Sequence, residues 1–130
     1  MRLLLDTHVL LALIEGRKAG LPAGVDALLK DADNEHHLSA ASLWEIAIKW
    51  RLGKLRLAPK LNALPQLLHG LGIQIVPINE HHALAAADPE PATRDPFDRM
   101  LLAQCGIENL KLLTLDRGLR GHRLAVNIQK

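Results

Sequence analysis

A chain of 130 residues fits one domain, and at 48% hydrophobic it can bury a real core. No apolar run approaches the ~20 residues of a membrane-spanning helix. The lone Cys105 excludes an intramolecular disulfide, and no leader-like segment opens the chain, so a single cytoplasmic domain over residues 1–130 is expected. A net charge of +2 is weak support for a nucleic-acid partner, and the only aromatics, Trp44, Trp50 and Phe97, argue against the base-stacking RNA-binding folds.

The first element is the apolar run Leu3-Leu4-Leu5, which stops abruptly at Asp6. So short a run predicts a strand buried on both faces, as in the middle of a parallel sheet. A helix over His8 to Gly16 follows, then a polar link over Arg17 to Gly20. Pro22 suits the first turn of a helix reaching about Asn34. His36 to Ala40 reads as a second strand, and Ser42 to Trp50 as a helix ending near Gly53. Its core-facing stripe is expected at Leu43, Ile46, Ala47 and Trp50, with Glu45 at the edge.

Leu55 to Pro59 is a connector, and Lys60 to Gly72 is helical with a break or new first turn at Pro65. Ile73 to Ile78 is a third, β-branched strand interrupted by Pro77. Asn79 caps a helix through Ala87, and residues 88–93 form a proline-rich loop. Arg94-Asp95-Pro96-Phe97-Asp98-Arg99 opens a helix to about Gly106. Leu110 to Thr114 is a fourth strand, and Leu124 to Ile128 a possible fifth. Alternating strands and helices define an α/β fold with helices on both faces of a parallel sheet of four or five strands.

In such a sheet, strand ends and helix starts meet on one rim. Asp6, Glu45, Asp98 and Asp116 all fall near it. Carboxylates gathered there repel one another, and a cation relieves the repulsion. Oxygen donors without paired Cys or His favour a hard ion, Mg²⁺ or Mn²⁺, suited to phosphoryl chemistry. Each acid also has a purely structural reading. Asp6 caps a helix. Glu45 pairs with Lys49 one turn on. Asp95 as N-cap, Pro96 at N1 and Asp98 at N3 make an ordinary helix start. Asp116 serves a turn. Spacing alone leaves both readings open.

The segments Leu3-Leu4-Leu5-Asp6-Thr7-His8, Ser42 to Lys49, Arg94 to Gln104 and Leu113-Thr114-Leu115-Asp116 resemble the ordered motifs of PIN-domain proteins. More narrowly, they resemble VapC-like ribonuclease toxins of bacterial toxin–antitoxin pairs. The resemblance spans nearly the whole chain. It implies a three-layer PIN-like fold and a Mg²⁺- or Mn²⁺-dependent endoribonuclease with Asp6, Glu45, Asp98 and Asp116 as its catalytic and metal-holding acids. Thr7, Ser42 and Thr114 match supporting polar positions, and Asp95 is an additional acid. Thr93 stands where a histidine often precedes Arg-Asp-Pro. The implied partners are RNA, a small antitoxin and a second copy of the chain.

Arg94 and Arg99 flank the acids and are candidates for RNA phosphates or for tethering the carboxylates. Arg51, Lys54 and Arg56 read first as a solvated face, and His8 as a packed or solvated residue. Leu57, Leu61, Leu64 and Leu68 are core residues or an exposed dimer stripe. The alternative function is a non-catalytic binding module on the same fold. A phosphatase or receiver domain also places an acid after the first strand. The phosphatase pattern fails at His8, and the receiver pattern lacks its acid pair and an acid after the third strand.

Overall fold

The structure is a computed structural model that describes residues 1–15, 21–86 and 94–128. The polar link at 17–20, the stop at Gly16, the helix end at Ala87 and the loop at 88–93 with Thr93 lie outside the described residues. The elements, in order, are β1 (Arg2–Leu5), α1 (Thr7–Ile14), α2 (Ala23–Lys30), β2 (Glu35–Ser39) and α3 (Ala40–Arg51). A 3-10 turn (Leu61–Ala63) then leads to α4 (Leu64–Gly70), β3 (Ile73–Val76), α5 (Glu80–Ala86), α6 (Pro96–Glu108), β4 (Lys111–Leu113) and α7 (Arg117–Arg120).

Strand side chains alternate between faces, so an apolar triplet must be covered twice. Leu3, Leu4 and Leu5 are each fully buried. Leu3 and Leu5, with Leu38 and Leu113, pack under Val9 and Leu10 of α1, Val25 of α2, Ile46 of α3, and Leu64 and Leu68 of α4. Leu4 and Leu112 pack under Leu101, Leu102 and Cys105 of α6 and Leu119 of α7. Each leucine so buried contributes about 1.5–3 kcal/mol. The result is three layers, α/β/α.

The four-stranded sheet has the order β3-β2-β1-β4, and every pair is parallel. β1 therefore lies where the strand order reverses, and Asp6 follows its carboxyl end, the place where open parallel sheets bind ligands.

Several boundaries differ from expectation for local reasons. Pro22 is the N-cap of α2 rather than its first residue, and α2 stops at Lys30. There Asp31 accepts the Asp33 N–H, and the Asn34 amide reaches back to the Leu28 carbonyl. α3 starts two residues early because the Ser39 hydroxyl caps it, accepting the Ala41 N–H at 3.0 Å. Ala41, Ser42, Glu45 and Ile46 face inward and Trp50 is 48% exposed, so Trp50 is not part of the core stripe. The expected fifth strand reduces to a single parallel bridge between Leu112 and Ala125. Leu64 and Leu68 are buried, and Leu57 and Leu61 pack against the same core, so these leucines are no exposed dimer stripe. Cys105 is a buried thiol, pushed up to about 12 by desolvation and thus inert at neutral pH.

His37 pairs with Leu4 in register and is 5% exposed. Its Nε2 makes no hydrogen bond, and the nearest carboxylate oxygen, on Glu35, stands 3.6 Å away. Burial first, and the Arg2 charge second, lower its pKa from the usual value of 6.5. The unfolded chain then takes up a proton that the folded ring resists. Stability from this group is complete above 6.5 and is lost as pH falls from there toward the lowered pKa. In denaturant titrations the advantage of wild type over His37→Gln should shrink between about pH 7.5 and about pH 5.5. A difference independent of pH would contradict this reading of His37.

Candidate active site

The site is assembled at the carboxyl ends of β1 and β4. Asp6 is 4% exposed. One carboxylate oxygen accepts the His8 N–H at 2.7 Å, capping α1, and the other accepts the Thr114 hydroxyl at 2.7 Å. Thr114 in turn accepts the Asp116 N–H at 3.0 Å, so a single hydroxyl ties the ends of the two strands together. A carboxylate offers about four acceptor positions, so Asp6 keeps lone pairs for a further partner. Thr7 donates to the Ser42 hydroxyl at 2.9 Å, fixing α1 against α3. All three hydroxyl residues, Thr7, Ser42 and Thr114, are buried.

Glu45 lies on the inward face of α3 and is bound by Lys49 Nζ at 2.9 Å. Its expected structural pairing is therefore real, but the carboxylate is buried rather than at the surface. Asp95 caps α6 by accepting the Phe97 N–H at 2.9 Å, with Pro96 next, as the sequence predicts. Asp116 is exposed and caps α7, a helix that sequence reasoning missed, by accepting the Gly118 N–H at 2.8 Å.

Asp98 reports on all of them. Its carboxyl is raised from 3.8 to about 7, first by burial and then by the charges of Asp95, Asp6, Asp116 and Glu45 in that order. The acids of β1, α3, α6 and the β4 end thus share one field. Among the described residues, however, no group of three His, Cys, Asp or Glu side chains is arranged to hold a metal ion. The oxygen donors and their mutual repulsion suit a hard cation, while the side chains do not close into a coordination sphere.

Arg94 is exposed and Arg99 partly buried. His8, Arg51, Lys54 and Arg56 are exposed. An open cavity of about 550 Å³ between Trp50 and the segment Leu57 to Asn62 does not include the acids.

Two further features were missed in the sequence. Gln104 is fully buried, and its amide donates to the Pro77 carbonyl at 3.2 Å, joining α6 to the end of β3. Its place in the apolar α6 pattern was the available signal. The other is a contact between Trp44 and Phe97, whose rings lie 5.6 Å apart at 69°. No sequence periodicity links α3 to α6.

The PIN domain family model matches residues 3–123, and the chain belongs to that family. Two solved structures are similar in fold. A toxin-antitoxin complex from Klebsiella pneumoniae is 16% identical, with a TM-score of 0.60 over 95% of this chain and 94% of that one. VapBC2 from Rickettsia felis bound to a DNA fragment from its promoter is 14% identical, with a TM-score of 0.65 over 97% and 96%. Comparison with curated proteins finds no match.

A carboxyl raised to about 7 has a definite consequence for stability. The contribution of Asp98 is complete below 3.8 and is lost as pH rises through about 7. At about pH 8 without divalent ions, Asp98→Asn should therefore stabilise the fold by on the order of 2 kcal/mol after solvent screening. A rise in melting temperature checks this; a fall would show that Asp98 is held by favourable contacts.

Proposed function

We propose that the protein is a metal-dependent endoribonuclease, the toxin of a bacterial toxin–antitoxin pair. The observation that carries the reading is the gathering of Asp6, Glu45, Asp95 and Asp116 around Asp98 at the rim of a parallel sheet, close enough for their charges to raise its carboxyl. Five acids at a ligand-binding rim are costly unless a cation is shared among them. Family membership and the two similar toxin-antitoxin structures support the nuclease and toxin assignments.

Asp6 and Asp98 would hold the ion, with Glu45 and Asp116 completing or orienting its shell. A Mg²⁺ or Mn²⁺ ion held there would supply positive charge and activate water for hydrolysis of the phosphodiester, with the ribose 3′ oxygen as the leaving group. The chain's own residues supply orientation. The Thr114 hydroxyl fixes the Asp6 carboxylate, and Lys49 restrains Glu45. Thr7 and Ser42 hold the two helix starts together without adding charge. Asp95 serves mainly as the cap of α6. Arg94, exposed and next in sequence to Asp95, would meet a phosphate.

The partners in this reading are single-stranded RNA, a small antitoxin and a second copy of the chain, in the cytoplasm. Exposed Leu52, Leu71, Leu84 and Ile107 leave apolar surface for protein contacts. Light scattering should give a dimer; a monomer at high concentration would contradict that part.

Purified protein should cut single-stranded RNA with Mg²⁺ or Mn²⁺ and stop when the ion is chelated. Asp6→Asn should remain folded, since the amide oxygen can still cap α1, yet lose cleavage because the charge is gone. Cleavage that survives chelation, or normal turnover by folded Asp6→Asn, would defeat the assignment. RNA bound but never cut would instead favour a non-catalytic binding module.

A further inference from the structure

A chain with only three aromatics, Trp44, Trp50 and Phe97, places two of them together beside its acids. Trp44 precedes Glu45 on α3, and Phe97 precedes Asp98 on α6. Successive helix residues point about 100° apart, so Glu45 turns inward while Trp44 faces solvent, 63% exposed. The rings meet edge-on at 5.6 Å and 69°. An edge contact of this kind orients a ring, and the exposure of Trp44 shows that it does so without covering it.

We propose that Trp44, oriented by Phe97, is a stacking platform for an unpaired base next to the phosphate that is cut. This rests on the ribonuclease reading above. Every base has a π-face, so an exposed indole grips single-stranded RNA without demanding a sequence. The charge beyond it fits the same ligand. The last turn of α3 carries Lys49 and Arg51, and Arg51, two turns from Trp44 on the same side, is exposed, as is Arg94 before α6. A stacked base would leave its backbone between these cations and the acids, which sets the register of the strand across the site. A second copy of the chain is the competing occupant, because Ile48, one turn from Trp44, is 36% exposed. Arg51 on the same side of α3 and Arg94 just before α6, both exposed, favour the polyanion.

The test compares wild type, Trp44→Leu and Trp44→Phe on a short labelled single-stranded oligoribonucleotide, with Mg²⁺ or Mn²⁺ present. Leucine keeps apolar area and removes the π-face; phenylalanine keeps both in part. Trp44→Leu should raise KM about tenfold with kcat within about twofold, and Trp44→Phe should recover most of the loss. Phe97→Leu, which frees the indole, should show a smaller rise in KM. Sedimentation of each variant reports assembly independently. Wild-type KM for Trp44→Leu, or a changed assembly state with unchanged KM, would overturn the platform while leaving the nuclease reading standing. Wild-type protein that neither binds nor cuts the oligonucleotide would overturn both.

Discussion

The structure is organised around an electrostatic conflict. A strand buried on both faces ends in Asp6, and the helices packed around it bring Asp98, Glu45, Asp95 and Asp116 into the same field. Like charges so placed cannot all ionise freely, and Asp98, partly buried among the others, absorbs the strain by holding its proton to about 7. The parallel sheet makes the conflict unavoidable, because β1 is central and every strand delivers its carboxyl end to the same rim.

The fold also contains its own partial remedy. Asp6, Asp95 and Asp116 are the N-caps of α1, α6 and α7, so each faces the positive end of a helix and accepts a backbone N–H. Lys49 answers Glu45 directly. Asp98 sits in the first turn of α6. The structural and chemical readings of these acids are therefore not rivals. Capping holds the carboxylates rigidly at the rim, and rigidity is what a cation site needs. Buried hydroxyls at Thr7, Ser42 and Thr114 brace the arrangement without adding charge.

Much of this was legible in the sequence because the signals were local. Leu3-Leu4-Leu5 ending in Asp6 announces a central strand, and Asp95-Pro96 announces a capped helix start, as observed. The parallel α/β order follows from alternating elements. What stayed hidden depended on contacts far apart in the chain. The packing of α3 against β2, α1 and α6 decides that Glu45 is buried and Trp50 exposed. The four-residue α7 is too short for a periodic pattern. The segment Leu124 to Ile128 is apolar enough for a strand, yet only Ala125 bridges to β4. The Gln104 contact with the end of β3 and the Trp44–Phe97 pair join elements that share no sequence period.

The central claim is that the acids form one cation site. It is tested most directly by titrating Mn²⁺ into the metal-free protein and following free ion by electron paramagnetic resonance, with Asp98→Asn alongside. Saturable uptake by wild type that is lost in Asp98→Asn is the predicted result. No uptake by wild type, or equal uptake by the variant, would contradict the account.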